Sequence, residues 1–143
     1  MDISWKFSWL DVIILLVISF IVIMAILIFK KRPPEEVDVE KIKKKWNEIE
    51  DLISKDNETM WRVAVIEADK LLDFALKGMI MPGENMGQRL KYASGKYPKI
   101  QQVWWAHKLR NNLVHEHDIK LRKGEAAKAV KAFERALKVL NVL

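Results

Sequence analysis

The hydropathy pattern divides the chain at Pro33-Pro34. Before it, residues 12–29 form an unbroken apolar run with no charge, Gly or Pro. As a helix rising 1.5 Å per residue, the run is about long enough to cross a hydrocarbon core of about 30 Å. Trp5, Phe7 and Trp9 precede it and Lys30, Lys31 and Arg32 follow it, which predicts a single-pass anchor with the N-terminus outside and the rest of the chain in the cytoplasm. The basic cluster sits on the wrong side for a signal peptide, and no small-residue cleavage site follows the run. After Pro33-Pro34 every segment repeats at helical period. From 35 to about 54, Val37, Val39, Ile42, Trp46, Ile49 and Ile53 share one side. Asp56 or Asn57 can cap a second helix running to about Gly78. Met81-Pro82-Gly83 reads as a loop, Asn85 caps a short helix ending near Gly95, and Pro98 opens a helix over about 98–116. After a loop at 117–123, Gly124 leads into a last helix reaching about Leu140. No segment alternates with period two. The expectation is an all-α chain: a short extracytoplasmic N-terminus at 1–11, a transmembrane helix at 12–29, a basic, Pro-containing linker at 30–36, and a bundle of four or five helices over 37–143.

Composition narrows the function classes. A chain of 143 residues leaves room for one domain beside the apolar run, which excludes a large multidomain enzyme. The lack of Cys excludes disulfide scaffolds and thiolate-held metal or iron–sulfur sites. The formal net charge is +6, and because Asp2, Lys6 and Asp11 give the first 29 residues −1, the remainder carries +7. That balance suits a polyanionic partner, RNA or anionic lipid. Lys41, Lys43, Lys44 and Lys45, next to the expected anchor, fit either a lipid contact or a solvated helix face.

Two charged residues fall on the apolar side of their own helices. On the helix over 98–116, Arg110 lies within the arc of Val103, Ala106, Leu109, Leu113 and Val114. On the second helix, Glu67 lies among Met60, Val63, Ala64, Leu71 and Phe74, whereas Asp69 and Asp73 fall on the polar side. Buried charges need partners, so Glu67 and Arg110 are expected to meet. Beside Arg110 runs a second stripe of Trp104, His107, Lys108, Asn111 and His115. Each suits a phosphodiester: Arg for bidentate phosphate bonds, His for proton transfer near neutrality, and Trp for stacking on an unpaired base. A metal is not expected. His107 and His115 stand about 12 Å apart along the helix, too far to share an ion, and His117 follows in the loop. Gly83, Gly87 and Gly95 follow no strand, so they do not make a phosphate-cradling loop.

Arg110-Asn111-Asn112-Leu113-Val114-His115 has the form R-N-x-x-x-H. This resembles the signature of the HEPN domains, small all-α bundles, and the resemblance covers about residues 40–143. Many HEPN members are metal-independent ribonucleases, among them toxins and defence effectors, and others are inactive dimerisation or nucleotide-binding modules. The resemblance implies endoribonucleolytic cleavage of cytoplasmic RNA by 2′-hydroxyl attack, with no cofactor. Arg110 would polarise the scissile phosphate, His115 would act as general base or acid, and Asn111 would orient the phosphate or His115. Glu67 would support Arg110 by position, with Trp104, His107 and Lys108 as RNA contacts. A homodimer is implied, with RNA and an antitoxin or regulatory protein as partners; the apolar run adds the lipid bilayer. The alternatives are a non-catalytic HEPN-like dimerisation, nucleotide- or protein-binding adaptor at the membrane, and an anchored scaffold in which Arg110 and Glu67 are a structural pair.

Overall fold

The apolar run is helical: α1 spans Trp9–Lys30 in a computed structural model that describes residues 9–30, 37–116 and 118–143, without the side chains of 25–30. The expected membrane span is not upheld. Among the described residues no helix is long and apolar enough to cross a membrane. This overturns the transmembrane assignment of 12–29, and with it the outside N-terminus and the anchored cytoplasmic domain. The flanking residues Trp5, Phe7, Lys31 and Arg32, the Pro33-Pro34 break and His117 lie outside the described residues.

The chain divides into two units, Met1–Pro33 and Pro34–Leu143. In the second, Asx side chains fix three helix starts by satisfying amides that have no intrahelical partner. Asp38 accepts from the Lys41 amide at the head of α2 (Val39–Ser54). Asn57 accepts from Thr59 and Met60 at the head of α3 (Glu58–Gly78), and Asn85 from Gln88 at the head of α4 (Met86–Lys96). The helix expected from 35 therefore starts at Val39. The helix expected over 98–116 is in two parts: Pro98 begins a 3-10 segment, Pro98–Val103, which runs into α5 (Trp104–His115). The last helix, α6, spans Lys123–Val139. Residues 37–143 form a helical bundle, and the described residues hold no strand.

α3 is the centre of the bundle and packs against α2, α4, α5 and α6. Its buried residues are Ala64, Val65, Ala68, Asp69, Leu71, Leu72, Ala75 and Leu76, while Met60, Val63 and Phe74 stay exposed. The core face is thus centred about 100° from the side on which the larger apolar residues suggest it. Small alanines let neighbouring helices approach closely, while Met60, Val63 and Phe74 line the rim. Ile42, Trp46 and Ile49 of α2, Leu90 of α4, Ile100 and Val103, and Phe133 and Leu137 of α6 complete the core.

Two helices end in the same reverse turn. After α3, the Ile80 amide donates to the Lys77 carbonyl and the Met81 amide to Leu76; after α6, Asn141 donates to Lys138 and Val142 to Leu137. These bonds define Schellman caps, which place one residue in the left-handed region. Those residues are Ile80 (φ 55) and Asn141 (φ 57). The following loop needs its glycine: Gly83 has φ 144, and a Cβ there would come within 2.6 Å of the Arg89 nitrogen. The Gly83 carbonyl accepts from Arg89 Nη1 at 2.6 Å, while Arg89 Nε donates to Asp73 at 2.7 Å, tying α4 to α3 through a buried arginine.

Candidate functional site

α5 runs only from Trp104 to His115, and α3 and α6 pack against it. Its face toward α3 carries His107 and Arg110, one turn apart and both in reach of a single side chain opposite. That side chain is Asp69. His107 Nδ1 lies 2.7 Å from Asp69 Oδ1, and Arg110 Nε lies 3.3 Å from Asp69 Oδ2. Asn111 closes the circuit: its Oδ1 accepts from Arg110 Nη1 at 3.0 Å, and its Nδ2 lies 3.3 Å from His107 Nε2. Asp69, His107, Asn111 and Arg110 therefore form a ring of four polar side chains. Asp69 is 2% exposed and His107 8%.

The ring has a definite polarity. Arg110 can only donate, so Asn111 presents its carbonyl oxygen to Arg110 and its amide to His107. His107 Nε2 then accepts, and Nδ1 carries the proton donated to Asp69. Arg110 is held at one edge. Its Nε is buried and touches Asp69 in a charge contact that falls short of hydrogen-bond geometry. A quarter of its side chain remains exposed, and Nη2 has no hydrogen bond among the described residues.

Arg110 and Asn111 are brought together. His115, at the C-terminal end of α5, is exposed, and its ring makes no hydrogen bond among the described residues. Glu67 does not meet Arg110; it pairs with Lys70 at 2.8 Å on the α3 surface, and Asp69 takes the place expected for it. His107 is not an exposed RNA contact, because its ring is locked into the buried circuit. Trp104 is half-buried: its Nε1 donates to Ser94 at 3.2 Å and its ring meets His107 edge-on at 6.1 Å. Lys108 is exposed. Asp69 was missed by its place on the polar side of α3. The available signal was the spacing of His107 and Arg110, a turn apart, which suits one carboxylate better than two.

Comparison with family profiles, curated proteins and solved structures finds no match to this chain. Among the described residues no three His, Asp or Glu side chains cluster as metal ligands. What the arrangement offers is an oriented guanidinium with one free nitrogen, a braced amide, and an accessible imidazole about 7.5 Å further along the helix axis. Arg110 and Asn111 can bind an anionic oxygen, and His115, about 140° around the helix from Arg110, can exchange a proton at the surface.

Proposed function

We propose that the helical domain is a HEPN-like, metal-independent endoribonuclease. The observation that carries this reading is the state of the R-N-x-x-x-H residues: Arg110 braced by Asp69 and Asn111 with Nη2 free, and His115 exposed on the same helix. Arg110 would bind a non-bridging oxygen of the scissile phosphate and stabilise the charge that builds on the phosphorane. An RNA 2′-hydroxyl attacks its own phosphorus, and His115 takes its proton or supplies one to the departing 5′-oxygen. The products are a 2′,3′-cyclic phosphate and a 5′-hydroxyl. Each chain contributes one such histidine, so two copies related by a two-fold axis would supply both proton-transfer groups.

The test is cleavage of mixed RNA in EDTA by the full chain, with His115→Ala and Arg110→Lys beside it. The expected result is cyclic-phosphate ends and a loss of about 100-fold or more in each variant, the usual scale for removing a general acid or base. Equal activity in His115→Ala and parent, or none in either, overturns the catalytic reading. The second reading, a non-catalytic HEPN-like module that dimerises or binds a nucleotide or protein, then stands. It is favoured by the charge of Arg110 already being met within the chain by Asp69.

A further inference from the structure

α6 carries Lys128, Lys131 and Arg135 at spacings of three and four residues, which places them in one stripe about 60° wide. All three are exposed, and among the described residues none forms an ion pair. Of the two acids on this helix, Glu134 bonds Lys138, and Glu125, one turn before Lys128, forms no ion pair with it. The stripe faces Gln102 and Trp105 across a groove of about 220 Å³ whose remaining wall is the small side chain of Ala132. The Lys128 ammonium sits 5.2 Å from the centre of the Trp105 ring, and the indole is still 36% exposed. Three unneutralised cations converge on one recessed, accessible aromatic ring.

We infer that this groove binds single-stranded RNA, with a base stacked on Trp105, the adjoining phosphates on Lys131 and Arg135, and Lys128 moving from the ring to the backbone. The inference rests on the RNA-directed reading above and deepens it by naming where the strand lies. Every base has a face that can stack on an indole, and an ammonium over an exposed ring is a weak contact for a base to replace. A paired strand keeps its bases inside the helix, so the ring selects unpaired RNA. A lipid surface would meet the cations but leave a recessed indole unused. Trp105 and His115 are ten residues apart on α5, about 15 Å along its axis. The groove would therefore grip nucleotides away from the scissile bond and hold the strand across α5.

The experiment measures binding by the full chain carrying His115→Ala, so that cleavage does not consume the probe. The probe is a short fluorescein-labelled single-stranded oligoribonucleotide followed by anisotropy across a salt series. Lys131→Gln with Arg135→Gln should weaken binding at least about tenfold and reduce the log–log salt slope by about 1.4, at about 0.7 per lost phosphate contact on a single strand. Trp105→Ala should weaken it about fivefold or more with the slope unchanged, and Trp105→Phe should restore most of the loss. Both cations lie on the surface, so their replacement leaves the fold out of the measurement. Unchanged affinity and slope in the double variant overturns the proposal. So does equal affinity for a duplex, or capture of anionic vesicles through these cations with no RNA bound. RNA cleavage by the parent alongside unaltered binding in the groove variants would sink the groove alone. Groove-dependent binding by a chain whose parent cleaves nothing would support the groove and sink the nuclease.

Discussion

Asp69 serves an imidazole and a guanidinium at once, so its removal strands two polar groups. Leaving a buried charge or donor unmatched costs far more than an exposed ion pair contributes. Asp69→Ala should destabilise the chain by about 3 kcal/mol in urea unfolding, whereas Glu67→Gln should change it by less than about 0.5 kcal/mol. The reverse order would mean that Glu67, not Asp69, braces Arg110. Asp73 adds a pH dependence in the acid range. Burial pushes its carboxyl up, but the bonds from Arg89 and Lys77 outweigh this and hold it below its ordinary value of 3.8. As pH falls the unfolded chain takes up that proton first. The stability from the pair is complete above pH about 4 and is lost as pH drops through the folded-state value. The stability gap between parent and Asp73→Asn should therefore be constant at neutral pH and shrink in the acid range below pH about 4. A gap that persists unchanged through that window contradicts the assignment. The sequence placed Arg110 correctly within the apolar side of its helix but named the wrong acid. A single-helix projection equates the bulky apolar side with the core. In α3 the alanines 64, 68 and 75 mark the close-packed side, and they carry Asp69 inward with them.

Helix ends were legible wherever the signal was local. Asn57 and Asn85 cap as expected, because an Asx side chain and the amides it satisfies are only two or three residues apart. The start of α5 was not legible. Proline permits a 3-10 turn and an α turn equally well, and the Pro98–Val103 segment packs against α4 and α6. The C-terminal caps differ in how well their residue suits the backbone. Asn141 tolerates the left-handed region, whereas Ile80 is β-branched and 66% exposed, so no burial offsets its strain. Ile80→Gly should raise stability by about 0.5–1 kcal/mol and lift the melting temperature. Asn141→Gly should do little. A destabilised Ile80→Gly in thermal unfolding would mean that the isoleucine side chain contributes more than its backbone costs.

At the level of the whole chain, the all-helical character followed from period alone, since no stretch alternates as a strand would. The membrane reading was a different kind of inference, resting on the length of one apolar run, and the described part of α1 does not sustain it. What organises the larger unit was not in the pattern at all. Glu58 near the start of α3 accepts the Leu121 amide at 3.0 Å across 63 residues, Asp69 holds α5, and Asp73 holds α4. The Leu121 amide holds the Glu58 carboxyl below its ordinary range, against the opposing effect of burial and with help from Arg62. Successive residues turn about 100°, so positions 58, 69 and 73 fall within about 60° of one another. α3 is thus a measuring rod with three fixed marks. One residue gained or lost between the first two marks would swing the first about 100° away from its partner while the others stayed in place. The spacing of the three acids along α3 is therefore what a redesign of this fold has to preserve.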